Sequence, residues 1–71
     1  MNNNNVGHLF VEAAKKKLIA DISDAEAKIK LYTTVPVGVG EHPNITEEIL
    51  KAAEAGAHAQ EVLDFLENAL P

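Results

Sequence analysis

The chain has 71 residues, enough for one small domain, and 46% of them are apolar although only two Phe and one Tyr are present. It contains no cysteine, which excludes a disulfide framework and a thiolate metal site. The net charge of −5 is uneven, because residues 1–40 hold five Lys and four acidic residues, whereas residues 41–71 hold one Lys and seven acidic residues. So acidic a second half disfavours nucleic acid and anionic membranes as partners.

Residues 1–6 contain a run of four asparagines and predict a flexible N-terminal segment. They show no basic run followed by a long apolar stretch, so we expect neither a secretion signal nor a membrane-spanning segment. These features do not fix the compartment, but nothing in them favours secretion.

Residues 7–34 have the apolar spacing of a long amphipathic helix. One stripe recurs at gaps of three and four residues, and Lys15 is its polar member. Asn5 is the expected N-cap. The β-branched residues Thr33 and Thr34 lead to Pro36, which ends the helix. The stripe consists of Val11, Lys15, Leu18, Ile22, Ala25, Ile29 and Tyr32.

Residues 45–70 predict a second helix with a clear start. Asn44 can cap it, and Glu47 completes an approximate capping box. The apolar positions alternate at gaps of four and three residues, a period of about 3.5 that is typical of a coiled-coil seam. The seam is small in its middle, where Gly56 is expected to let another helix approach closely. Its members are Ile45, Ile49, Ala52, Gly56, Ala59, Leu63, Leu66 and Leu70.

The predicted fold is all-α, an antiparallel hairpin of two long helices with an ordered connector, residues 35–44, that is rich in proline and glycine. Folding the chain back at this connector sets mostly large side chains of the first helix against small ones of the second. It also brings the lysine triplet 15–17 near Glu61 and Asp64, where charges can pair across the helices. The predicted facing pairs are Ile29 with Ile49, Ala25 with Ala52, Ile22 with Gly56, and Leu18 with Ala59.

A two-helix hairpin is a poor monomer, because one seam buries too little apolar surface to offset the entropy of ordering the chain. Further apolar residues lie off the seam and can close a second interface. We therefore expect a homo-oligomer, either a four-helix bundle made of two hairpins or a larger ring. The off-seam residues are Leu9, Phe10, Ile19, Leu31, Leu50, Ala53, Ala57, Val62 and Phe65.

No catalytic residues, metal ligands or cofactor are predicted. His8 and His58 each have a glutamate one turn away along a helix, but neither pair supplies the three or four ligands of a zinc site. Glu41 and His42 could act as an acid and a base, but no nucleophile or third group accompanies them.

The connector is longer than is usual between the helices of a bundle. Val35, Val37 and Val39 alternate as in a strand, so one face of an extended segment is apolar. These valines either cap the end of the hairpin or bind a partner, and capping is favoured. In the second case the candidate binding residues are Val37, Gly38, Val39, Gly40, Glu41 and His42.

The run Pro36-Val37-Gly38-Val39-Gly40-Glu41-His42-Pro43, between a lysine-bearing helix and an acidic helix, resembles a segment of small proteins of tailed bacteriophages. The resemblance extends over roughly residues 20–65. It implies a phage accessory protein in the cytoplasm of an infected bacterium or in the virion. It implies no activity and no functional residues.

The sequence thus predicts a non-enzymatic accessory protein that associates with itself and serves as a structural or interaction module. Its expected partners are other copies of the chain and a host or virion protein. One alternative is a regulatory protein that docks its acidic second helix onto a basic host surface. Another is a protein that binds a small ligand at the connector of an oligomer.

Overall fold

The structure is a computed structural model, and it describes residues 4–34 and 44–70. Within these residues the chain forms two α-helices, α1 (Asn4–Thr34) and α2 (Ile45–Ala69), and no strand. The helices pack along each other as an antiparallel hairpin. The predicted all-α hairpin is therefore confirmed.

Helix α1 begins three residues before the predicted start, at Asn4, so Asn5 lies inside the first turn and does not cap the helix. No proline or glycine in the asparagine tract stops the helix from extending into it. At the other end, the hydroxyls of Thr33 and Thr34 donate to the carbonyl oxygens of Lys30 and Leu31, both at 2.9 Å. These are bonds that a threonine hydroxyl makes back to the preceding turn of its own helix, and they lie in the last turn of α1.

Helix α2 follows Asn44, whose carbonyl oxygen accepts a hydrogen bond from the Glu48 N–H at 3.0 Å. The Asn44 side chain makes no capping hydrogen bond, so the predicted capping box with Glu47 is not formed. The backbone of Asn44 explains this, because its φ of −115° and ψ of 44° lie outside the β region that a side-chain cap adopts. Glu47 and Glu48 remain favourable at the positive end of the helix dipole.

The core of the hairpin is a narrow seam of small side chains. Its buried members are Ala25, Ala52, Ala59 and Leu63, with Ala25 only 4% exposed. No large side chain in the described part of the chain is completely buried. The two helices therefore meet along a thin line and do not enclose a broad core.

The two helices differ in length, with 31 residues in α1 and 25 in α2. At about 1.5 Å per residue, α1 is about 9 Å longer. Gly56 lies opposite Ala25 and the helices run antiparallel, so Ala69, at the end of α2, is level with about Glu12. The first two turns of α1 thus extend past α2, and the molecule measures 60 × 19 × 14 Å.

The close seam predicts that Gly56→Ala lowers the melting temperature. Alanine is the better helix former by about 1 kcal/mol. A Cβ at Gly56, however, would lie 2.9 Å from the Ala25 Cβ, an atom that moves only with the backbone of α1. Overpacking of this kind costs about 1–3 kcal/mol and outweighs the gain in propensity.

The matched control is Gly7→Ala, because a Cβ at Gly7 would meet nothing within 4 Å. We expect this variant to keep or raise the melting temperature, since only propensity changes. Both variants can be compared with the unmodified chain by circular dichroism. Equal stabilisation by the two substitutions would contradict the close approach at Gly56.

Candidate interaction surface

Ten residues of the two predicted stripes, those nearest the middle of the hairpin, are the candidate interaction seam, and all ten lie between the helices with reduced exposure. Leu70, which the sequence also placed in the seam of the second helix, is 40% exposed. The buried ones are Ala25, Ala52, Ala59 and Leu63. The half-buried ones are Leu18, Ile22, Ile29, Ile49, Gly56 and Leu66. Their arrangement provides contact between the helices, and it leaves the outward faces of both helices available for another molecule.

The contact at the centre of the seam differs from the predicted one. Ile22 was expected opposite Gly56, but the atom nearest to a Cβ at Gly56 is the Cβ of Ala25. Ile22 lines the groove beside the two. In coiled-coil packing, a side chain of one helix fits into the gap between residues of the facing helix. Ala25 can therefore lie against both Ala52 and Gly56. The tightest contact between the helices is therefore that of Gly56 with Ala25, two of the smallest residues of the seam, and not that of Gly56 with Ile22.

A groove runs along each side of the seam. The first, which we call the charged groove, has its rim formed by both helices and a floor that includes Ala25, Ala52 and Ala59. Its charged rim residues are Asp21, Asp24, Lys28, Glu48 and Lys51, and His58 and Val62 continue it along α2.

The second groove, which we call the aliphatic groove, lies on the other side of the seam. Ile22, Ile29, Ala53, Gly56 and Ala57 form most of it. Glu26 and Gln60 supply its polar groups. The two sides of the hairpin are thus chemically different along the half that is nearer to the connector.

The best-formed ion pair lies in the charged groove. Lys28 Nζ is 3.0 Å from Asp24 Oδ2. The hydrogen bond to Asp24, and then the charge of that carboxylate, raise the pKa of Lys28 above 10.5. Glu48, on the facing helix, adds a small upward contribution to the pKa of Lys28. The rim therefore carries compensated charges that favour exposure to water.

The predicted pairing of the lysine triplet across the helices is wrong. Lys17 lies 3.9 Å from Asp21, and Lys15 pairs with a glutamate one turn before it, so the ion pairs of the described residues stay within one helix. Neither lysine pairs with Glu61 or Asp64. Side chains three or four residues apart on a helix are neighbours, and that proximity prevails over a partner on the other helix.

Two side chains that the sequence placed off the seam, without grouping them, are the most exposed large apolar residues. Phe10 is 72% exposed and Phe65 is 76% exposed. Heptad spacing is the signal that groups them: Phe10 lies two heptads before Asp24, and Phe65 lies one heptad after His58. Asp24 and His58 both line the charged groove, so the two phenylalanines lie on that side of the hairpin.

The same spacing adds three exposed residues to this side. Ala14 is one heptad before Asp21, Ala69 is two heptads after Ala55, and Val62 itself lines the groove. We call the set the phenylalanine patch. Its members are Phe10, Ala14, Val62, Phe65 and Ala69.

The candidate binding connector, residues 37–42, lies outside the described residues, as does the run that resembles a phage protein. Within the described residues His8 and His58 are exposed, and no three His, Asp or Glu side chains are grouped so that they could hold a metal ion. Over the same ranges, neither helix combines the length and the apolarity that crossing a membrane requires.

The Lys28 ion pair predicts a pH effect. Because the pKa of Lys28 is raised in the folded state, the pair stabilises the fold below pH 10.5, and this contribution is lost as the pH rises through the raised pKa. Asp24→Asn should lower the pKa of Lys28 in an NMR titration. Glu26→Gln, the matched control on the other groove, should leave it unchanged, and an equal decrease in both variants would contradict the pairing.

Comparison with known proteins finds no match for this chain. No family model matches it, and neither a curated protein nor a solved structure is significantly similar to it.

Proposed function

We propose that this chain is a self-associating helical hairpin with a structural or interaction role, and not an enzyme. One observation carries the proposal: the large apolar side chains lie mainly outside the core. The buried core consists of three alanines and one leucine. The exposed large apolar residues are Val6, Leu9, Phe10, Ile19, Leu31, Leu50, Val62, Phe65 and Leu70.

The surface area supports the same conclusion. The chain exposes 5752 Å² of solvent-accessible surface. A compact monomer of its mass exposes about 4,300 Å². The excess of roughly 1,450 Å² per chain gives about 2,900 Å² for two chains, which falls in the range buried by permanent homodimers.

The elongated shape of the chain supports the same conclusion as its large exposed surface. The radius of gyration of the Cα atoms is 17.0 Å, whereas a compact domain of this length has about 11 Å. Helices of this kind take most of their stability from packing an apolar face, and here one face of each helix packs while others do not. A second copy offers an apolar surface of the same kind.

The setting suggested by the connector is that of a phage accessory protein, acting in the infected host or in the virion. Under this proposal the assembled hairpins present their charged faces to a host or virion protein. The resemblance of residues 36–43 supports this setting.

A second candidate is a regulatory protein that docks α2 onto a basic protein surface. The exposed acidic residues Glu54, Glu61, Asp64 and Glu67 on α2 favour it. In that case the apolar side chains of α2 would be covered by the partner and not by another copy.

Sedimentation equilibrium separates the two candidates. The 7.6 kDa chain should sediment as a species of at least twice that mass at micromolar concentration. A mass of 7.6 kDa at every concentration up to about 1 mM, with helical structure retained, would exclude self-association and favour the regulatory protein.

A further inference from the structure

We infer that the second copy docks on the phenylalanine patch, patch against patch, with the connector ends of the two hairpins pointing apart. This inference rests on the proposed self-association and names the surface that performs it. It commits to a second copy of this chain as the occupant.

The first reason is the position of the patch along the hairpin. Counting antiparallel from the contact of Ala25 with Gly56, Phe65 is level with Lys16, and Phe10 lies about 9 Å further toward the open end. Phe10 belongs to the part of α1 that extends past α2. Its own hairpin therefore offers no second helix beside it, whereas another copy can.

The second reason is the chemistry of the patch. Both phenylalanines of the chain lie in it, and each exposes more than 70% of its surface. Aromatic side chains are enriched in the buried centres of protein interfaces, where charged residues are depleted. The charged side chains at the edge of this surface are Lys17, which is 3.9 Å from Asp21 of its own helix, and Glu61, one turn before Phe65 on α2.

The third reason is that two identical chains with net charge −5 repel each other, so a shared interface must avoid acidic side chains. The opposite side of the open end is acidic. Heptad spacing from Glu26, Ala57 and Gln60 of the aliphatic groove places Glu12, Asp64 and Glu67 there. Association through that side would bring two copies of these carboxylates together.

The charged groove sets the direction of the two copies. If the hairpins lay side by side in the same direction along their whole length, Asp21, Asp24 and Glu48 of one copy would lie next to the same residues of the other. When the open ends alone overlap, apolar patches meet and the charged grooves stay in water. A two-fold axis at the patch then lays each Phe10 across the Val62–Phe65 segment of the other copy, in an isologous contact.

Truncation of the aromatic side chains tests the surface. The variant carrying Phe10→Ser and Phe65→Ser should dimerise at least about 30-fold more weakly in sedimentation equilibrium, which corresponds to the loss of an interface hot spot. The matched control carries Ile19→Ser and Leu50→Ser, which also remove two exposed apolar side chains but lie away from the patch. Weakening of the control by as much as the patch variant would overturn the inference.

Cross-linking tests the same surface without removing the side chains that stabilise the fold. Because the chain has no cysteine, single substitutions can be compared under oxidation in the otherwise intact chain. Ala14→Cys lies in the patch, Ala53→Cys in the aliphatic groove, and Ala55→Cys in the charged groove. The expected result is a disulfide-linked dimer for Ala14→Cys alone.

The other outcomes are distinct. A disulfide-linked dimer at Ala53→Cys and not at Ala14→Cys would show that the hairpins associate through the other side, which overturns this inference and leaves the proposed self-association intact. A linked dimer at Ala55→Cys would overturn the arrangement with the connector ends apart. A chain that stays monomeric in every form would overturn the proposed function together with the docking surface.

Discussion

The contact between Ala25 and Gly56 holds α1 and α2 so close that no larger side chain fits between them. The closeness comes from a seam with alanine or glycine at its middle positions. Small residues bury little apolar area, because each methyl group removed from water contributes only on the order of 1 kcal/mol. The hairpin is therefore well defined in geometry while its core remains small.

The remaining apolar side chains follow from that constraint. Helices in close contact have no room for a broad interior, so Phe10 and Phe65 lie on the outside, where they raise the exposed surface above that of a compact domain. The ion pair of Lys28 with Asp24 keeps the half of the molecule near the connector polar on the same side. Under the proposed self-association, this division into a polar half and an apolar half determines where a second copy docks.

The sequence predicted the two helices and the residues that lie between them, because a 3.5-residue apolar repeat identifies one face of a helix whatever lies opposite. It predicted the wrong contact at the centre of the seam, with Gly56 opposite Ile22, since the repeat allows Gly56 to face Ile22 or Ala25 almost equally. The cap at Asn44 and the partners of the lysine triplet depend on local backbone angles and on neighbours one turn away, which spacing alone does not resolve. Heptad spacing relates Phe10 to Asp24 and Phe65 to His58. That the two phenylalanines lie on the same side of the hairpin follows only from the structure, in which Asp24 and His58 line the same groove.

The central claim is that folding of this hairpin is completed by association with a second copy. Thermal unfolding at protein concentrations spanning about a hundredfold tests it most directly, because dimerisation stabilises the folded state by mass action. If a second copy completes folding, the melting temperature rises steadily with protein concentration. A melting temperature that is the same at all concentrations, with full helical content before the transition, would show that the hairpin folds alone and would contradict the proposed self-association.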